Sequence, residues 1–165
     1  MADPAVTIRP AREDEVSLVL QFVRELAEYE RLSHEVVATE EMLRTCLFGP
    51  RPYAEVVLAC LDGEPVGFAL FFHNYSTFLG QPGIYLEDLF VRRAVRGKGA
   101  GQSLLRWLAS EAVKRGCGRL EWAVLDWNEP AIRFYKRLGA RAVDEWGIFR
   151  LTGDALRQAA SKPDV

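Results

Sequence analysis

Apolar residues recur along this chain with two different periods. Val16, Val19, Leu20, Val23 and Ala27 return every three or four positions, the spacing of one buried helix face, with Glu13, Asp14 and Glu15 at its positive N-terminal end. That pattern predicts a helix ending near residues 27–31. Thr39 caps a second one, carrying Met42, Leu43 and Leu47 and closed by Phe48-Gly49-Pro50. From Gln102, the residues Leu104, Leu105, Leu108 and Ala112 predict a third, to about Arg115 with Gly116 as its stop. A short helix opens at Asp126-Trp127-Asn128-Glu129-Pro130 and ends at Gly139, and Asp154 to Ala160 makes a last turn or two before a loose tail, Ser161 to Val165.

The other period belongs to strands. Val6 to Pro10, Ala54 to Leu61, Val66 to His73, Ile84 to Val91 and Arg119 to Leu125 read as strands, and Ala140 to Val143 with Gly147 to Thr152 as a final pair. Asp62-Gly63-Glu64-Pro65 turns a hairpin, and Asn74 to Gly83, rich in turn residues, reads as a loop. The order β-α-α-β-β-β-α-β-α-β predicts a mixed α/β fold with helices on both faces of one sheet. No stretch reads as a linker, so residues 1–165 are expected to form a single domain.

Composition narrows the function. A net charge of −2 argues against nucleic acid as the main partner. Cys46, Cys60 and Cys117 are odd in number, with no CxxC pair; they read as buried apolar residues of a reducing compartment. His34 and His73 stand alone, so no metal site is expected. No apolar run reaches the ~20 residues that span a bilayer. The start of the chain carries Asp3 and no apolar signal core, so the expectation is a cytoplasmic protein.

The most informative stretch joins the strand at Ile84–Val91 to the helix from Gln102. Between them stand Arg96, Gly97, Lys98, Gly99, Ala100 and Gly101. Glycine lets the backbone approach a ligand, and a helix start offers unpaired N–H groups with partial positive charge, so the loop suits a phosphate or pyrophosphate. A Walker A loop fails, because its first glycine would fall on Arg92 and its Ser/Thr on Gly99. A dinucleotide GxGxxG fails too, since its third glycine would fall on Gln102 or Leu104. What remains is Arg96-x-x-Gly99-x-Gly101 after a strand. A plain glycine-rich turn is the competing reading.

Two further features carry candidate chemistry. Glu87 and Asp88 interrupt the apolar strand, and strand alternation sends one of the two carboxylates into whichever face is buried. A buried acid is costly unless paired, so either a functional carboxylate or an ion pair with an arginine accounts for it. Tyr135 lies on a helical stripe with Ala131, Phe134 and Leu138, which periodicity alone reads as core.

Together these segments resemble the GNAT acetyltransferases: Tyr85-Leu86-Glu87-Asp88-Leu89-Phe90-Val91, the loop Arg96-Gly97-Lys98-Gly99-Ala100-Gly101, and Trp127-Asn128-Glu129-Pro130-Ala131-Ile132-Arg133-Phe134-Tyr135-Lys136. The loop matches the family's [RQ]xxGx[GA] acyl-CoA pattern. Glu25-Leu26-Ala27-Glu28-Tyr29-Glu30 adds a likeness to the spermidine/spermine branch, and Ala123-Val124-Leu125-Asp126-Trp127-Asn128 to its thialysine-acetylating relatives.

The resemblance implies a GNAT fold with a mostly antiparallel central sheet. It also implies acetyl transfer from acetyl-CoA to a primary amine of a small polyamine or an amino-acid-like substrate. It gives Glu87 the role of base, directly or through water, and Tyr135 that of acid. It puts coenzyme A on Leu89, Phe90, Val91, the loop Arg96 to Gln102 (Gly97, Lys98, Gly99, Ala100 and Gly101 included), Asn128 and Ala131. Lys136 and Arg137 reach for phosphates or are simply solvated. Substrate contacts map to Tyr29, Glu30, Glu87, Asp88, Glu121, Trp122 and Ala123. A further acidic position falls near Asp144-Glu145-Trp146-Gly147, where alignment needs a gap. The resemblance also implies a homodimer. Competing readings are a peptide or protein acetyltransferase and a catalytically silent acyl-CoA sensor.

Overall fold

The computed structural model describes residues 6–161. The chain divides into two compact units, Met1–Ala123 and Val124–Val165. The first contains a five-stranded sheet of β1 (Val6–Pro10), β2 (Glu55–Leu61), β3 (Glu64–Ser76), β4 (Gln81–Val91) and β5 (Leu120–Trp122), in that spatial order. The first three pairings are antiparallel and β4–β5 is parallel, so the sheet is mixed. Its helices are α1 (Val16–Tyr29), α2 (Glu40–Phe48) and α3 (Ala100–Lys114).

Both faces of the sheet are buried, and strand alternation explains how. Val56, Leu58 and Cys60 of β2 join Phe68 and Phe90 in one core with Val19, Phe22 and Leu26 of α1 and Leu47 of α2. The intervening Val57, Ala59, Ala69 and Phe71 are equally buried and look the other way, where the Phe71 ring meets Trp107 of α3 edge-on at 5.9 Å. The expected cap is present: Thr39 Oγ1 accepts from the Met42 N–H at 3.2 Å. Gly116, in the left-handed region at φ 69°, ends α3.

The structure departs from expectation in four places. Asn74 to Gly83 is mostly strand: Asn74, Tyr75 and Ser76 pair with Gly83, Pro82 and Gln81, so the connection shrinks to residues 77–80. Gly83 is needed there for space, since a Cβ would collide with the Asn74 side-chain oxygen. The strand expected over Arg119 to Leu125 is only Leu120–Trp122, because β5 lasts no longer than its pairing with Ile84, Tyr85 and Leu86. Cys46 is exposed rather than buried: it sits one position, about 100° of helix, away from the inward-facing Leu47.

The fourth departure lies in the second unit, which holds α4 (Glu129–Arg137) and α5 (Gly153–Ser161). Residues 141–152 are exposed and irregular, so the strand pair Ala140–Val143 and Gly147–Thr152 does not form. A short two-stranded ribbon is marginal without a further ladder to join. Of the expected tail, residues 162–165 lie outside the described residues.

Candidate active site

The site is built around an irregularity in β4. Across the β3–β4 ladder Leu70 pairs with Asp88 but Phe71 pairs with Leu86, so Glu87 is an extra residue with no opposite number. Such a bulge breaks strand alternation. Directly opposed residues share a face. Asp88 and Phe90 therefore lie with Leu70 and Phe68 on the α1 side, while Leu86 lies with Phe71 on the α3 side. One inserted residue switches which face the second half of β4 presents.

That switch gives the two carboxylates different surroundings. Glu87 is exposed and Asp88 half-buried. Burial, reinforced by the negative charges of Glu87 and Glu30, pushes the Asp88 carboxyl up to about 6. Burial also raises Glu30, the residue that follows α1. No salt bridge joins Glu87 or Asp88 to an arginine or lysine among the described residues, which removes the ion-pair reading of this pair.

Beyond the bulge β4 has a vacant edge. Its pairing with β5 stops at Leu86–Trp122, whereas β4 continues to Val91. Along Glu87–Val91 no strand of the described residues pairs with β4 on the side away from β3. Leu89 is half-buried, and Phe90 and Val91 are buried. An extended ligand with amide groups can take such an edge as an added strand would.

The chain then turns into the glycine loop. The Arg92 N–H donates to the Val66 carbonyl at 2.9 Å, a single 3₁₀ turn covers Arg93–Val95, and Gly97 and Gly99 follow at φ 82° and 84°. L-residues avoid that region, and a Cβ at either glycine would meet nothing within 4 Å. The glycines therefore serve backbone shape, and the space before the loop is open. The first backward bond into α3 runs from the Ser103 N–H to the Gly99 carbonyl at 2.9 Å, so the N–H groups of Ala100, Gly101 and Gln102 precede it without a helical acceptor. This donor set fits a pyrophosphate. Lys98 is exposed beside it.

Side chains bind this loop to the end of α1. Arg92 meets the Glu25 carboxylate with Nε and Nη2 at 3.0 and 2.9 Å, and its guanidinium lies 4.7 Å from the centre of the Phe22 ring. The pair holds the Glu25 carboxyl below its ordinary range. Arg96 donates from Nε to the Val91 carbonyl at 2.9 Å and covers the Tyr29 ring at 4.5 Å and the Phe90 ring at 5.7 Å. The Arg92–Glu25 tie had no local signal in the sequence, since its partners are 67 residues apart.

The remaining expected residues fall into two groups. Glu121 lies on β5 opposite Tyr85, and its carboxylate is engaged by Arg119 at 3.1 Å and by the Asn74 amide at 2.5 Å. Trp122 is half-buried and Ala123 exposed. In the second unit, Asn128 stands at the N-terminal boundary of α4 and its carbonyl accepts the Ile132 N–H at 3.0 Å. Ala131 lies in the first turn and Tyr135 in the last, with the Phe134 and Tyr135 rings 5.5 Å apart. Lys136 and Arg137 are exposed at the end of the helix, where positive charge suits the dipole. Among the described residues no cluster of His, Cys, Asp and Glu suits a metal ion, and no helix is long and apolar enough to cross a membrane.

Known proteins resemble this chain along most of its length. Residues 20–140 match the Acetyltransferase (GNAT) family. The thialysine N-epsilon-acetyltransferase of Bos taurus is 42% identical over 168 residues, covering 95% of this chain and 98% of that protein. The L-ornithine N5-acetyltransferase NATA1 of Arabidopsis thaliana is 36% identical over 203 residues, covering 96% and 89%. Among solved structures, the integron cassette protein VCH_CASS6 from the mobile metagenome of V. cholerae superimposes with a TM-score of 0.78 at 30% identity, covering 95% of this chain and 98% of that one.

Proposed function

The chain belongs to the GNAT acetyltransferase family, and from that membership we propose that it moves the acetyl group of acetyl-CoA to the side-chain amine of a small cationic diamino acid of the thialysine or ornithine type. The observation that carries this reading is the bulge at Glu87. It sets two carboxylates without a lysine or arginine salt-bridge partner beside a vacant strand edge and a loop shaped for pyrophosphate. Spermidine and spermine are the second substrate class, favoured by the same acidic surroundings of Glu30, Glu87 and Asp88. A peptide amine is the less favoured reading, because the chain is net acidic and its sequence carries no evident peptide-binding insertion. We take residues 1–165 as one acetyltransferase domain, in keeping with a family match that runs across both units.

When bound, acetyl-CoA supplies the thioester carbon that the amine attacks; the new bond is N–C and the bond broken is C–S. Leu89, Phe90 and Val91 would offer main-chain groups to the pantetheine amides, and an N–H of Leu89 or Phe90 would be the donor available to the thioester oxygen. The amides from Gly97 to Gln102 would hold the pyrophosphate, with Arg96 and Lys98 supplying positive charge, and the family resemblance assigns Asn128 and Ala131 contacts near the thiol end. An alkylammonium with a pKa near ~10 must lose a proton before it attacks, and Glu87 takes it, directly or through water. Asp88 and Glu30 contribute negative field for the cation, with Tyr29, Trp122 and Ala123 lining the amine. Glu121, already paired with Arg119, acts by shaping this wall. The family resemblance assigns Tyr135 the role of acid, which would return a proton to the coenzyme A thiolate.

The protein works as a homodimer in a reducing, cytoplasmic setting; its three free cysteines and the exposed Tyr75, Phe78 and Leu79 around the β3–β4 turn suit both. The test is thiol release from acetyl-CoA across thialysine, ornithine, lysine, spermidine, spermine, putrescine and a basic peptide, with Glu87→Gln in parallel. Turnover on a diamino acid that collapses in Glu87→Gln is the expected result. Turnover that survives the substitution removes Glu87 as base. Silence on every amine, with coenzyme A still bound, leaves the acyl-CoA sensor in its place.

A further inference from the structure

We propose that Arg96 is a positioning residue that couples the two halves of the site, so that coenzyme A and the amine each strengthen the seating of the other through the contact of its guanidinium with Tyr29. The inference rests on the acetyltransferase reading above. Its ground is the geometry of one side chain. Arg96 opens the glycine loop in an extended conformation (φ −63°, ψ 152°) immediately before the left-handed Gly97. Its side chain turns back to the end of β4, donating to the Val91 carbonyl at 2.9 Å. Its guanidinium covers Tyr29, the last residue of α1, at 4.5 Å and Phe90 at 5.7 Å, both inside the ~6 Å range of a cation–π contact. No carboxylate among the described residues forms a salt bridge with it, so these contacts define its orientation.

Three parts of the site therefore meet at one residue: the pantetheine strand, the pyrophosphate loop, and the helix end that carries Tyr29 and Glu30. Gly97 and Gly99 would sample many conformations alone, and ordering them on binding costs affinity. An Arg96 fixed by its hydrogen bond and its aromatic contact presets the backbone that precedes them. Removing the Tyr29 ring frees the guanidinium and leaves that ordering to coenzyme A. In the other direction, a loop held by pyrophosphate keeps Arg96 against Tyr29 and so holds the ring beside Glu30. Linkage requires the same factor in both directions.

Calorimetric titration of coenzyme A, with no amine present, tests this on the full chain as wild type, Tyr29→Phe, Tyr29→Leu, Arg96→Gln and the Tyr29→Leu/Arg96→Gln double variant. Tyr29→Leu is expected to weaken coenzyme A about three- to fivefold, the scale of an exposed cation–π contact, and Tyr29→Phe, which keeps the ring, to stay close to wild type. The effect of Tyr29→Leu should vanish in the Arg96→Gln background. Equal effects in both backgrounds, or a Tyr29→Leu variant that binds like wild type, overturn the proposal. A folded wild type that does not bind coenzyme A fails the acetyltransferase reading itself, which is a different result. Should Tyr29→Leu not fold, by circular dichroism, Arg96→Gln carries the test: KM for thialysine, measured with acetyl-CoA saturating for that variant, rises about threefold, and an unchanged KM overturns the coupling.

Discussion

Arg92 and Glu25 join the start of the glycine loop to α1 through two hydrogen bonds of 3.0 and 2.9 Å, with the Arg92 guanidinium over the Phe22 ring. The two side chains are 34% and 27% exposed, which keeps the pair weaker than a buried one. Glu25→Ala is expected to cost about 1 kcal/mol, or roughly 2–4 °C in a thermal melt. Because the pair lowers the folded-state value of Glu25, its stabilisation is full above the unfolded value near ~4.3 and fades as pH falls through the lower folded one. Melts at pH 7 and pH 3 check this: the wild-type advantage should shrink at pH 3, and an advantage that grows there refutes it.

Asp88 has the opposite sign. Its folded value of about 6 lies above the ordinary aspartate value, so the folded state disfavours its ionised form. The destabilisation is absent below the unfolded value near ~3.9, grows as pH rises, and is complete above about 6. Asp88→Asn should therefore stabilise the protein by roughly 2 kcal/mol at pH 8 and hardly at all at pH 4. The same titration acts on substrate: KM for a cationic amine should rise as pH falls through about 6, and Asp88→Asn should flatten that rise. A KM profile unchanged by the substitution would take Asp88 out of amine binding.

What could be read in the sequence was local. Thr39 caps Met42 three residues away, the α1 stripe needs only its own period, and Arg96 to Gly101 is a contiguous motif. What escaped depended on partners distant in sequence. The alternation rule put Glu87 and Asp88 on opposite faces, but the inserted residue that decides their exposure exists only in the pairing with Leu70 and Phe71. Gly83 looked like a turn residue and is instead the one residue that fits against Asn74. The Arg92–Glu25 tie and the Arg96–Tyr29 contact each span from the loop back to α1, where no spacing rule reaches.

Two glycines in the first unit should respond to alanine for different reasons. Gly99 is left-handed with open space around it, so Gly99→Ala costs backbone strain of about 1–2 kcal/mol without a clash. Gly67 has no positive φ, but a Cβ there would run into the Phe90 carbonyl and Val91 across the ladder. Gly67→Ala should shift β3 from β4 and cost about 2–3 kcal/mol, more than Gly99→Ala. Urea melts of both variants rank them, while coenzyme A affinity should fall more in Gly99→Ala, whose conformation sets the amide donors. The reverse ranking on both measurements would mean that the loop is not what the glycines shape.

Tyr135 separates catalysis from packing. It lies in the last turn of α4, and the helical stripe it shares with Ala131 and Phe134 would by itself make it an ordinary packing residue. Tyr135→Phe keeps the ring and removes only the hydroxyl, so a packing role predicts nearly unchanged stability and unchanged turnover. An acid role predicts kcat lower by about 10²–10³, the scale of one positioned proton donor, with coenzyme A affinity within about twofold. The proton goes to a thiolate, which leaves unaided once its own pKa is low enough. The defect of Tyr135→Phe should therefore narrow with an acyl donor whose thiol is more acidic than coenzyme A. A defect of the same size with both donors would assign Tyr135 to positioning rather than to proton transfer.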